Sequence, residues 1–209
     1  MRRTVFTGIV QSCGEIQSLV DIKGDKRVLI AAADLDLANV HIGDSIAVNG
    51  VCLTVTEFAG EHGFWMDVSI ETIQCTTFGE LMEGSKVNLE LSLTPHSALG
   101  GHLVSGHVDG VGKVLAIDSE ARSTRFTFEA PRELGCYIAG KGSITIDGTS
   151  LTVNGVNSAK EETVVFDVNI IPHTQQNTLF HSYEVGARVN LEVDIIARYV
   201  ERMTSFTRN

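Results

Sequence analysis

Two positions carry groups able to do chemistry in matching frames: Cys52 in GVCLTV (50–55) and Ser150 in GTSLTV (148–153). A cysteine in a strand usually fills a core, but one aligned with a hydroxyl rather than an aliphatic side chain points to matching places in two related pockets. A second cluster lies in GGHLVSGHVDG (100–110), where His102 and His107 stand five residues apart among glycines. Glycine allows close approach of backbone to a ligand, and histidine moves protons near neutral pH. The neighbouring groups are thiol and hydroxyls rather than a carboxylate-oriented triad, which argues against a serine hydrolase. A third pair of segments is Asp67-Val68-Ser69-Ile70-Glu71-Thr72 and Asn169-Ile170-Ile171-Pro172-His173-Thr174. Polar groups on a segment leaving a strand suit a polar, uncharged ligand. The chain has no GxGxxG opening a helix, no P-loop and no Arg/Lys cluster, so a dinucleotide or phosphorylated ligand is not favoured.

The elements that position these groups are repeated. FTGIVQSCGEI (6–16) aligns with VSGHVDGVGKV (104–114), and DSIAVNGVCLTV (44–55) with GSITIDGTSLTV (142–153), both at an offset of 98. EGSKVNLE (83–90) aligns with VGARVNLE (185–192) at an offset of 102, the drift a loop insertion produces. The period is too long for a solenoid, whose units run about 20–50 residues; the reading is two pseudo-equivalent domains. Within each copy, short β-branched runs meet at Asn49-Gly50 or Asp147-Gly148, the turn signal of a tight hairpin. Further strand-length runs at 27–31, 63–68, 86–91, 125–129 and 163–170 predict small closed barrels. Short helical pieces are predicted at 34–39, 76–82 and 131–137, and a link at 93–101. In the tail, Ile195, Ile196, Tyr199, Val200 and Met203 share one face of a 3.6-residue period, with Arg198, Glu201 and Arg202 opposite. This is an amphipathic helix without a first-half counterpart, suited to oligomerisation or to packing on its own barrel.

At 209 residues and 43% apolar the chain can build two cores. Its formal charge of −10 argues against nucleic acid and against an anionic membrane surface. No apolar run approaches the roughly 20 residues that span a bilayer, and MRRTVFTGIV does not read as a signal peptide. Cys13, Cys52, Cys75 and Cys136 are widely spaced and suit neither a disulfide framework nor a zinc site; a cytoplasmic protein with reduced thiols is expected.

Together FTGIV, SIAVNGVCLTV, GGHLVSGHVDG, KGSITIDGTSLTV and the repeated VNLE resemble the α-type riboflavin synthases, in order from about Phe6 to Tyr199. The resemblance implies an all-β fold of two tandem, pseudo-symmetric, six-stranded Greek-key barrels and a C-terminal helix, here 1–97, 98–193 and 194–209. It implies a homotrimer with active sites between subunits, and no cofactor. The implied activity is transfer of a four-carbon unit between two molecules of 6,7-dimethyl-8-ribityllumazine, giving riboflavin and 5-amino-6-ribitylamino-uracil. Association with a lumazine synthase shell is left open.

Carried over by position, Gly8, Ile9, Val10, Val51, Cys52, Leu53, Asp67, Val68, Ser69, Ile70, Glu71 and Thr72 would line a first-barrel pocket. Gly106, His107, Val108, Lys141, Ser150, Leu151, Thr152, Ile171, Pro172, His173, Thr174, Gln175 and Gln176 would line a second. His107, with His102, would shuttle a methyl proton. Cys52 and Ser45 in one half, and Ser150 and Asp194 in the other, would position or add to the attacked pyrazine carbon. Thr54 and Thr152 would bind ring or ribityl oxygens. Some relatives carry two consecutive cysteines where this chain has Val51-Cys52, so no mechanism here can need the pair. The competing reading is a lumazine- or flavin-binding antenna that catalyses nothing; it predicts decay of one set of motifs, and both sets are intact.

Overall fold

The structure, a computed structural model, describes residues 4–160 and 162–206. Residues 1–3 of the N-terminal segment and 207–209 of the tail lie outside the described residues. Strands β1 (Ser12–Ile22), β2 (Asp25–Ala31), β3 (Ser45–Val48), β4 (Val51–Phe58), β5 (Gly63–Val68) and β6 (Lys86–Leu91) close one antiparallel barrel in the order β1-β2-β5-β4-β3-β6. Strands β7 (Gly110–Glu120), β8 (Ser123–Pro131), β9 (Ser143–Ile146), β10 (Thr149–Lys160), β11 (Thr163–Ile170) and β12 (Arg188–Val193) close a second in the same cyclic order. Even the bulges recur: Ile16/Ser18 and Val55/Glu57 in the first barrel answer Val114/Ala116 and Val153/Gly155 in the second. Alternating strand residues fill each interior, with Val28, Ile30, Phe64 and Met66 in one barrel and Phe126, Phe128, Phe166 and Val168 in the other.

The helices differ from expectation. Residues 34–39 form turns and bends, not a helix. Leu35 and Leu37 are both buried, and an Asp36 carboxylate oxygen accepts the Ala38 N–H at 3.0 Å; burial two residues apart and that local bond are incompatible with a helical face. Helix α1 is Ile70–Cys75, ahead of the predicted 76–82, which holds a 3-10 turn at Thr77–Glu80. Its counterpart α2 is Pro172–Asn177. Near 131–137, β8 runs on to Pro131 and a 3-10 turn follows at Arg132–Leu134.

The barrels meet turn to turn. Asn49-Gly50 and Asp147-Gly148 both have positive φ (45° and 75°, 41° and 80°), the geometry of two-residue hairpins. A Cβ on Gly50 would lie 2.7 Å from the Gly148 nitrogen, so only glycine allows the two turns to abut. Asn88 donates through Nδ2 to the Asp147 carbonyl at 2.8 Å, and Asn190 to the Asn49 carbonyl at 2.9 Å, two bonds related by a pseudo-twofold axis.

Helix α3 (Ile195–Phe206) packs in an unusual sense. Its charged side holds the second barrel, Arg198 pairing with Asp109 at 2.5 Å, while Ile196, Tyr199 and Val200 are each more than half exposed. No helix among the described residues is long and apolar enough to cross a membrane.

Candidate functional site

The site residues gather into two half-sites, each at the end of a barrel where its fourth strand parts from its fifth. Ladder pairing of β4 with β5 runs from Val55, and of β10 with β11 from Val153. Earlier in those strands the N–H of Cys52 and the N–H of Ser150 need other acceptors. They find them in the segments leading into β1 and β7, but crosswise: Cys52 N–H donates to the Gly106 carbonyl at 2.8 Å, and Ser150 N–H to the Gly8 carbonyl at 2.7 Å.

This corrects the grouping expected from the sequence, which put each lead-in segment with its own barrel. Gly8 lies against the second barrel with Ile9 beside Gly100, and Val10 then leads back toward β1. Gly106 lies against the first barrel, and Val108 packs on the first core. The exchange follows from a bridge between the segments: Phe6 N–H donates to Val104 O at 2.7 Å and Val104 N–H to Phe6 O at 3.1 Å. Paired there, each segment delivers its next glycine to the opposite barrel.

In the first half-site, Ser45 of β3 pairs with Thr54 of β4, and its hydroxyl lies 3.1 Å from that of Thr4 and beside the Cys52 thiol. Burial pushes the Cys52 thiol up from 9.0, opposed by the Ser45 bond and reinforced by Glu192, so the sulfur stays protonated at neutral pH. Val51 and Leu53 turn into the core, leaving backbone as what they present outward; Thr54 is exposed. Beyond the last paired rung, Val55–Met66, the antiparallel direction carries Thr54 toward the side of Asp67 and Leu53 toward that of Val68 as the strands part. There α1 begins: the Ser69 hydroxyl caps it, accepting the Thr72 N–H at 3.2 Å, and the Asp25 carboxylate accepts the Ile70 N–H at 2.9 Å. Glu71 is exposed in the first turn.

The second half-site is built differently. His102 Nδ1 lies 2.7 Å from the Ser150 hydroxyl, and Nε2 lies 3.2 Å from the Thr145 hydroxyl. Thr145 and Ser150 are cross-strand partners on β9 and β10, so one ladder rung fixes both ends of the ring. Burial lowers the imidazole below 6.5, with the Asp194 carboxylate acting in opposition, and the ring is neutral at pH 7. Asp194 also accepts the Ile196 N–H at 2.9 Å, capping α3. Lys141 sits at φ +67° in a tight turn, its N–H donating to Val153 O at 2.7 Å and its side chain exposed. Thr152 is exposed and Leu151 half-buried. Helix α2 starts on Pro172 without a side-chain cap; His173 and Gln176 are exposed, and Gln175 accepts from the Thr124 hydroxyl at 3.2 Å. His107 is exposed, and it is His102 that the structure engages.

Sequence reasoning missed Thr145. Its signal is the aligned residue 98 positions earlier, Ala47, a hydroxyl present in one copy and absent in the other. Around the half-sites Ile9, Leu103, Ile70 and Ile171 are roughly half exposed (47, 45, 51 and 56%), an apolar rim suited to a flat heterocycle. A concavity of about 640 Å³ lined by Leu35, Asp36, Leu37, Phe58 and His62 contains none of the candidate residues.

Set against known proteins, the chain matches the family model of the lumazine binding domain twice, over residues 7–92 and 105–194. It is 41% identical to a riboflavin synthase of Photobacterium phosphoreum (95% of this chain, 88% of the relative) and 44% identical to one of Actinobacillus pleuropneumoniae (95% and 89%). Among solved structures it is similar to LumP complexed with 6,7-dimethyl-8-(1'-D-ribityl) lumazine, with TM-score 0.78, 28% identity, and coverage of 90% of this chain and 98% of that one. It is also similar to LumP complexed with riboflavin, with TM-score 0.76, 29% identity and the same coverage.

Proposed function

This chain belongs to the lumazine-binding domain family, and we propose that it is a riboflavin synthase, converting two 6,7-dimethyl-8-ribityllumazines into riboflavin and 5-amino-6-ribitylamino-uracil. The observation that carries the reading is that both copies keep one backbone frame around Cys52 and Ser150 and furnish it with different chemistry. The atoms of two lumazines equal those of the two products, so the transfer of four carbons needs no oxidant. It needs a base for a methyl proton, a group that helps at the attacked pyrazine carbon, and two rings held together. His102, kept neutral by its partial burial, accepts the proton, with Ser150 at its Nδ1 and Asp194 favouring the charged form. The protonated Cys52 thiol and Ser45 in the first half-site, and Ser150 in the second, hydrogen-bond the pyrazine ring to position it, or add to its attacked carbon while their proton passes to a ring nitrogen. Exposed Thr54 and Thr152 bind ring or ribityl oxygens. Holding two substrates face to face removes much of the entropic barrier before any proton moves.

The exposed apolar face of α3 supports a homotrimer in which the first barrel of one subunit meets the second barrel of a neighbour, closing the active site between them. In this reading the chain divides at residues 97 and 193, and the four free thiols support a cytoplasmic location. The LumP complexes support a second reading, binding of lumazine or flavin without turnover. The purified protein given the lumazine alone, without metal or nucleotide, decides between them. One riboflavin for every two lumazines consumed establishes the dismutation; perturbed lumazine fluorescence with no riboflavin makes the protein a carrier.

A further inference from the structure

The tetrapeptide Val-Asn-Leu-Glu, unchanged at 87–90 and 189–192, ends in a glutamate to which the proposed chemistry gives no task. Glu90 and Glu192 are both 3% exposed, and a carboxylate so buried must be hydrogen-bonded. One oxygen of Glu90 accepts both the N–H and the hydroxyl of Thr7 at 2.6 Å, and the other accepts the Gly8 N–H at 3.0 Å. Glu192 repeats the pattern on Ser105, N–H at 2.7 Å and hydroxyl at 2.6 Å, and on the Gly106 N–H at 3.0 Å. Burial raises both carboxyls, and these same bonds oppose it.

Each clamped turn is then handed to the other barrel. Gly8 carries its carbonyl to Ser150, and Gly106 carries its carbonyl to Cys52. The fit is close: a Cβ would stand 2.5 Å from the Ser150 Cβ at Gly8 and 2.6 Å from the Cys52 Cβ at Gly106. A strand of the first barrel thus fixes a strand of the second through three hydrogen bonds and one carbonyl, and the reverse path is identical.

We propose that Glu90 and Glu192 are positioning residues that act across the pseudo-twofold axis, Glu90 setting the half-site of the second barrel and Glu192 that of the first. The functional consequence rests on the reading of the half-sites as lumazine pockets; the wiring itself does not. Glutamine tests it, because its amide turns a donor toward the glycine N–H that the carboxylate accepts. In the ligand-free protein, Glu90→Gln speeds amide exchange at Ser150 about tenfold or more while Cys52 stays within about twofold, and Glu192→Gln does the opposite. Thr7→Val and Ser105→Ala remove one hydroxyl and leave the carboxylate, so they keep the fold and show the same pattern at smaller amplitude.

Riboflavin titration, followed by quenching of its fluorescence, is the second readout. The wild type takes one riboflavin per barrel, Glu90→Gln loses the second-barrel site, and Glu192→Gln loses the first. Exchange that rises equally at both strands in each variant, or only within the mutated strand's own barrel, overturns the proposal. Crossed exchange in a protein that binds no riboflavin upholds the wiring and removes the lumazine reading instead.

Discussion

Asp147 stands where the first copy has Asn49, and replacing it with asparagine makes the sharpest test of the energetics at the barrel junction. The carboxyl is wholly buried; one oxygen accepts the Asn190 N–H at 2.7 Å and the other the Tyr183 hydroxyl at 2.5 Å. Burial nevertheless raises it from 3.8 to about 7. The folded protein therefore holds its proton more tightly than the unfolded chain does. The stability this contributes is complete below about pH 4 and is lost as pH rises through about 7. A gap of about 3 units at 1.36 kcal/mol each amounts to about 4 kcal/mol. Asparagine fits the place, since the Asn49 amide oxygen already accepts the Asn88 N–H at 2.7 Å in the matching turn, and its NH₂ can donate to the Tyr183 oxygen. The stability of Asp147→Asn relative to wild type should climb about 1.4 kcal/mol per pH unit between about pH 4 and 7 and level off above 8. Each kcal/mol is worth about 2–4 °C in Tm for a chain of this size. Any altered hydrogen bond to Tyr183 adds a constant offset, while Glu90 and Glu192 titrate in both proteins and cancel. Urea unfolding across that range, followed by the fluorescence of Trp65, the chain's single tryptophan, reads the difference. Parallel stability curves, or a gap that narrows as pH rises, would refute the reasoning.

Gly106→Ala places a methyl 2.9 Å from the Cys52 nitrogen at φ +76°, which costs about 1–2 kcal/mol of backbone strain before any overlap with β4. Steady-state kinetics should show at least a tenfold loss in kcat/KM (roughly 1.4 kcal/mol); unchanged kinetics would remove the lead-in segment from the active site. The acid limb of the kcat/KM profile should fall below 6.5, where burial puts His102, and Asp194→Asn should move it lower still because the carboxylate favours the charged ring. Asparagine keeps the α3 cap, so a limb that stays put or moves up counts against His102 as the base. Val200→Glu on the exposed face of α3 should shift sedimentation from trimer to monomer with barrel melting changed by no more than about 0.5 kcal/mol; a wild-type monomer would end the trimer reading.

Most strands were legible because their signals are local. Asn-Gly and Asp-Gly turns, alternating burial and a constant offset each speak from a few residues. Helix α1 was missed because it buries no residue, so it leaves no apolar period to read; only Ser69 three residues before Thr72 announces its cap. The error at 34–39 has the opposite cause, since Leu35 and Leu37 are buried in an irregular loop that no period describes. The exchange of the lead-in segments was illegible for a deeper reason. Internal alignment shows that Gly8 and Gly106 are equivalent, but equivalence is the same whether each glycine packs on its own barrel or on the other. The choice is made by the Phe6–Val104 bridge, a contact between positions 98 apart that no spacing rule predicts.

That exchange bears on how a symmetric frame can run an asymmetric reaction. Two identical lumazines carry no label saying which gives carbons and which receives them, so the protein must supply the distinction. The backbone does not supply it: Cys52 and Ser150 receive their glycine carbonyls at 2.8 and 2.7 Å, and the two glutamate clamps match bond for bond. The difference lies in a few side chains mounted on that common frame. Ala47 becomes Thr145, Cys52 becomes Ser150, and Thr4 gives way to His102, so that three differences place a half-buried, neutral imidazole between two hydroxyls where the first copy presents a thiol. Because Cys52 and Ser150 are each hydrogen-bonded to a segment from the other copy, a shift of one barrel against the other would disturb both strands. Duplication with exchange thus keeps the two half-sites geometrically alike while leaving their chemistry free to diverge, which is what transfer between two copies of one molecule demands.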